Sequence, residues 1–203
     1  MFKRLMIILA VLTASLAATR LAGPDAEAAA DPTQQDLQAK LLTAQDLTAV
    51  TNAQWEALPV RAENTGPAGQ ADGTGCAELD SAVLSHNGGL VNSGAQDFVA
   101  PSGDFIEQTI AFDRSAADHV RELATAIGHC PQLSFSDGPK VTVQPTALGE
   151  GTAGFRGLID GVSRSVVLTG VHGDYVVELV ASDHGQSDAH YRALLERAFS
   201  RLG

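Results

Sequence analysis

A chain of 203 residues with 24 acidic against 13 basic side chains carries a formal charge of −11, and no cluster of Lys or Arg offsets it. Such a surface repels phosphate backbones and anionic headgroups, which argues against nucleic acid as a partner. Hydrophobic residues at 44% suit a globular domain, whereas aromatics at 5% leave its core to Ala, Val, Leu and Ile.

Lys3 and Arg4 precede an apolar run from Leu5 to Ala18, and Ala26-Glu27-Ala28-Ala29-Ala30 supplies small residues for cleavage. This is the layout of a secretory signal peptide over residues 1–30. The run is short for a membrane span and Arg20 ends it, so membrane contact is expected only if this segment stays uncleaved. Residues 1–30 hold three basic and two acidic side chains, so their removal takes the formal charge from −11 to −12. Export places the two cysteines, Cys76 and Cys130, in an oxidising compartment where they most simply form one disulfide. The expected location is secreted or extracytoplasmic.

Residues 31–40 are polar at their start and are expected to be disordered, with one domain over 41–203. Leu41-Leu42-Thr43-Ala44-Gln45-Asp46-Leu47 reads as a helix start, with Thr43 and Asp46 spaced for a capping box. Trp55 and Leu58 are expected packing anchors, and residues 59–75, rich in Gly, Pro, Asn, Asp and Ala, a flexible loop. Cys76 to Leu84 reads as a short helix stopped by Asn87-Gly88-Gly89. The stretch around Phe98 and Pro101 has no period, while Phe105 to Phe112 suggests a strand.

Ala116, Val120, Leu123 and Ile127 share one helical face, with Ser115 and Asp118 as a second capping box and Gly128 as the stop. Period two then takes over in Val141–Val143, Phe155–Ile159, Ser165–Thr169 and Tyr175–Val180, with a hairpin connection at Gly170 to Asp174. Ser187 caps a last helix whose apolar face is Tyr191, Leu194, Leu195, Ala198, Phe199 and Leu202. Helices, an antiparallel meander of about five to six strands and a covering helix predict an α+β fold.

The order of these pieces resembles the PknH-like extracellular sensor domain of actinobacteria. The resemblance runs from the Leu41–Leu47 opening through Trp55, Cys76, Glu107-Gln108-Thr109-Ile110-Ala111-Phe112, Cys130 and the valine-rich hairpin to the final helix. It implies a strongly twisted antiparallel sheet, flanking helices and a ligand-receiving cleft. Kinase-borne members carry two disulfides, whereas this chain has cysteines for one and no kinase domain.

Catalytic motifs are absent: no G-x-S-x-G elbow, S-x-x-K pair or H-E-x-x-H spacing occurs. Asp183, His184, Asp188 and His190 form the densest local ligand group, but their spacing suits a loop and helix cap, so no metal and no cofactor is expected. Gly149 to Gly154 precedes a strand and lacks a P-loop lysine, which makes it a turn. The functional expectation is therefore a non-enzymatic, sensor-like binding domain of the cell envelope. Phe105, Glu107, Thr109, Arg156 and Tyr175, strand residues with apolar bulk or polar tips, are its candidate ligand contacts. The partner would be a small ligand. The alternatives are an envelope protein–protein adaptor and, last, a secreted hydrolase.

Overall fold

The computed structural model describes residues 30–59, 76, 79, 93–134, 139–146 and 148–203. The first helix, α1 (Gln34–Ala39), begins where disorder was expected. Thr33 accepts from the Asp36 N–H at 3.2 Å and the Asp36 carboxylate accepts from the Thr33 N–H at 2.8 Å. That reciprocal box satisfies two backbone donors that would otherwise be orphaned. Leu37 is fully buried, and the α1 backbone lies on Gly94, where an added Cβ would come within 3.1 Å of Gln38 N. The expected disorder of residues 31–40 is thus corrected by one capping box and one apolar anchor.

Helix α2 (Ala44–Thr51) has the box expected of Thr43 and Asp46 and ends at Asn52 in the left-handed region. Trp55 packs against the core and its indole N–H donates to Thr51 Oγ1 at 2.7 Å. Leu58 is half-buried and its N–H bonds the Asp97 carbonyl.

Eight antiparallel strands form one sheet: β1 (Glu56–Ala57), β2 (Ser93–Val99), β3 (Phe105–Phe112), β4 (Gln132–Leu133), β5 (Val141–Pro145), β6 (Thr152–Ile159), β7 (Val162–His172) and β8 (Tyr175–Ser182). Their order is β1-β2-β3-β8-β7-β6-β5-β4, so β8 closes the meander against β3. The expected five to six strands become eight because β1 and β4 are two-residue edges, and because β2 shows no clean alternation in sequence. Asp160-Gly161, both at positive φ, turn β6 into β7, and Gly173-Asp174 turn β7 into β8.

Helix α3 (Ala116–His129) starts at Ser115, whose side chain makes no cap bond. Asp113 accepts from the Ser115 N–H instead and also pairs with His119. Gly128 lies within the helix rather than stopping it, and Cys130 is the C-terminal cap. Helix α4 (Asp188–Ser200) is capped by Ser187, which accepts from His190 N–H at 3.3 Å.

The sheet separates two cores. On one face α1, α2 and α4 bury Leu37, Leu47, Phe98, Ile110, Leu168, Leu179 and Leu194. There Phe199 of α4 sits on Gly170, where a Cβ would fall 2.5 Å from the ring. On the other face α3 packs on β5, β6 and β7 through Val120, Leu123, Ile127, Val143 and Phe155. Cys76 and Cys130 are bonded with Cα atoms 5.0 Å apart and belong to this second core. Cys76→Ser with Cys130→Ser reopens a 54-residue separation in the unfolded chain. The pair should lose about 4 kcal/mol in urea denaturation. An unchanged midpoint would show that the bond adds nothing.

Of the helix expected from Cys76, only Cys76 and Leu79 are described, Leu79 in a helical conformation and 2% exposed. The expected signal peptide and, beyond Pro59, the expected loop at 59–75 lie outside the described residues.

Candidate functional site

Side chains alternate across a strand, so direct register partners share a face. On the face carrying α3, one lateral row runs Ala95, Thr109, Glu178, Thr169, Ala153 across β2, β3, β8, β7 and β6. The adjacent row runs Asp97, Glu107, Val180, Val167, Phe155. Two carboxyls, Glu107 and Glu178, therefore occupy diagonal positions at the centre of the sheet.

This is an unusual place for them. Glu107 is 3% exposed, Thr109 4% and Thr169 fully buried. Thr109 Oγ1, Thr169 Oγ1 and Glu178 Oε1 are shut off from solvent without a hydrogen-bond partner among the described residues. An unsatisfied buried polar group costs about 1–3 kcal/mol, and here three lie side by side. The Glu178 residue as a whole keeps partial exposure and Ala95 is exposed, so the row reaches solvent at these points and closes at Ala153.

Burial pushes the Glu178 carboxyl up to about 8, with the Glu107 charge adding to the effect. Near neutral pH Glu178 therefore holds its proton in the fold. A neutral carboxyl between two threonine hydroxyls offers both a donor and acceptors to an incoming group.

The five expected contact residues divide between the faces. Phe105, Glu107 and Thr109 alternate onto the face of this row. Arg156 and Tyr175 lie on the opposite face, in register with Val166 and Phe112 respectively. Lys40 covers the Tyr175 ring at 5.3 Å. Arg156 is held by Asp183 at 3.0 Å, Asp188 at 2.6 Å and the Gln186 carbonyl at 2.8 Å, and lies over the Tyr191 ring. Glu178 and Thr169 did not figure among the expected contacts. Their signal is the single polar residue inside an apolar strand, Glu178 in Tyr175–Val180 and Thr169 after Val166-Val167-Leu168.

Asp183 is fully buried and its two oxygens are committed. They accept from Ser163, from Tyr191 O–H at 2.8 Å, from the Gly185 and Gln186 N–H groups at 2.8 and 3.2 Å, and from Arg156. Burial would raise its carboxyl, but the bonds from Ser163, Tyr191 and Gly185 and the Arg156 charge together hold it below the ordinary value. The same bond helps push the Tyr191 hydroxyl far up, after burial itself. His184 turns away to Asp104 at 2.5 Å. Among the described residues no group of three or more His, Cys, Asp or Glu is arranged to hold a metal.

Ser102 and His184 bind opposite oxygens of Asp104. The carboxylate thus separates them, which is the wrong order for a triad, where histidine must contact the serine.

No protein-family model matches the chain. No curated protein matches it by sequence. Among solved structures, the crystal structure of the extracellular domain of PknH from Mycobacterium tuberculosis is similar, with a TM-score of 0.63. The match covers 84% of this chain and 96% of that one at 12% identity. At that identity the likeness shows the fold: an antiparallel sheet with flanking helices.

Proposed function

We propose that this chain is an extracytoplasmic, non-enzymatic sensor-like domain that binds a ligand over the Thr109–Glu178–Thr169 row. The observation that carries the reading is the row itself: three buried oxygens without partners among the described residues, on adjacent central strands, partly open to solvent at Glu178. Buried polar groups are nearly always satisfied, and a ligand would satisfy these. Support for location comes from the Cys76–Cys130 bond and the signal-peptide pattern. The fold shared with an extracellular domain agrees with it.

A ligand that binds only the native state raises stability by about 2.7 kcal/mol at a hundredfold excess over Kd. For a domain of this size that corresponds to a rise in Tm of roughly 5–10 °C. A thermal-shift panel of amines, polyols, peptides and lipids should therefore yield a binder for the wild type. Its shift should vanish in Glu178→Gln and shrink in Thr109→Val and Thr169→Val. A panel with no hit, or hits indifferent to all three substitutions, removes the reading. A salt-sensitive protein complex recovered in its place would favour the adaptor.

A further inference from the structure

We propose that the Thr109–Glu178–Thr169 row is a subsite for the primary carboxamide of a small uncharged ligand, lying across Glu178 with its nitrogen toward one threonine and its oxygen toward the other. The inference rests on the ligand-binding reading above and adds the chemical class. Glu178 is the direct register partner of Thr109 on β3 and of Thr169 on β7, so the three side chains stand side by side with Glu178 in the middle. Their strands repeat at ~4.8 Å, which puts the two threonines ~10 Å apart. A carboxamide with a hydrogen bond at each end spans about 8 Å from partner oxygen to partner oxygen, so one such group centred on Glu178 brings both hydroxyls within reach.

Glu178 Oε1 and the two threonine Oγ1 atoms are the groups to be satisfied. A protonated carboxyl has one O–H donor and one carbonyl acceptor in a planar fork, and each hydroxyl can donate or accept. A primary carboxamide is the planar complement of that set. Its oxygen accepts from the Glu178 O–H and, on its second lone pair, from the O–H of one threonine. One N–H donates to the Glu178 carbonyl oxygen and the other to the second threonine. Four hydrogen bonds form, all three side chains are satisfied, and no proton changes owner.

The surroundings favour an uncharged group. Glu107 on β3 and Asp97 on β2 share this face, and each already has a partner. From β7 and β6 the facing residues are Val167, Ala153 and Phe155, none of them titratable. Helix α3 turns Val120, Leu123 and Ile127 to the sheet, while its Asp118 and Arg121 pair with each other and its His119 pairs with Asp113. Arg156 lies on the opposite face, tied to Asp183 and Asp188. Among the described residues of these elements no cation faces the row to hold an anion, and a cationic ligand would first have to displace the Glu178 proton.

Acetamide is the probe, with N,N-dimethylacetamide as its counterpart without N–H donors and ethylene glycol as a non-planar set of donors and acceptors. A ligand of four non-hydrogen atoms binds no tighter than about 0.05 mM, so the titrations run in the millimolar range. The protein carries 13C-labelled glutamate so that the Glu178 carboxyl resonance is followed through a pH titration. The carboxamide oxygen accepts from the protonated form, so acetamide should raise the Glu178 titration midpoint from about 8. By the same linkage its affinity should fall above that midpoint, by up to about tenfold per pH unit, because the carboxylate has no O–H to give. The two controls should leave the midpoint in place. Thr109→Val and Thr169→Val should each weaken acetamide roughly threefold to tenfold. Glu178→Gln removes the O–H and sets a carboxamide of the protein's own against the threonines, so acetamide should lose about tenfold or more.

A midpoint that acetamide lowers or leaves in place, or an equal or larger effect of either control, would overturn the carboxamide class and leave the ligand-binding reading standing. The same holds if no probe acts while the thermal-shift panel yields another ligand sensitive to Glu178→Gln. If nothing binds in either experiment, both readings fall. Unfolding of a variant is excluded as a cause by its amide spectrum, and the wild-type midpoint shift decides without any variant.

Discussion

Asp183→Ala is expected to lower the unfolding free energy by about 3–5 kcal/mol, the range for breaking a buried charged network from one side. The carboxylate joins four pieces of chain: Ser163 on β7, Arg156 on β6, the Gly185-Gln186 turn, and Tyr191 on α4. Alanine leaves the Arg156 guanidinium with Asp188 alone for charge, and leaves the buried Tyr191 hydroxyl with Gln186 Oε1 at 3.1 Å. It also strands two backbone donors that fix the entry of α4. Because the folded-state carboxyl is held below its unfolded value of 3.8, its stabilising contribution is present above about pH 4. It is lost as acid takes the pH down through the folded value. Urea midpoints at pH 7 and pH 3 should therefore separate wild type from Asp183→Ala widely at the first and narrowly at the second. Equal gaps at both would mean that the charge is irrelevant and packing alone is at stake.

The same network explains what the sequence could and could not reveal. Helical period and capping chemistry are local, so Thr43 with Asp46 and the apolar face of α4 were legible from spacing alone. Thr33 with Asp36 is just as local, yet a single buried leucine after a polar run is a weak signal. Arg156 was expected among the ligand contacts on a strand, and β6 contains it. What it touches depends on Asp183 and Asp188, 27 and 32 residues on, and no one-dimensional pattern encodes that. The candidate row is more non-local still. Thr109 and Glu178 meet only because β8 returns to β3, and a slip of one residue would send Glu178 to the opposite face.

Register thus converts an ordinary glutamate into a cost that a neutral side chain would not carry. Glu178→Gln is expected to stabilise the protein at pH 9 by about 4 kcal/mol and to be nearly neutral at pH 4. The arithmetic is linkage. A carboxyl raised from 4.5 to about 8 corresponds to on the order of 5 kcal/mol, discounted here for the partial exposure of Glu178. A raised acid reverses the usual carboxylate case. Below pH 4.5 both folded and unfolded states hold the proton and the group costs nothing. Between 4.5 and about 8 only the folded state holds it, so stability falls as pH rises. Above that the folded state must bury the ion and the full cost is present. Glutamine keeps the shape, carries no charge, and its amide can donate to Thr109 or Thr169. Wild-type stability should therefore decline from pH 5 to pH 8 relative to Glu178→Gln, then run parallel to it. A difference that stays flat with pH would place the Glu178 carboxyl in ordinary solvent contact.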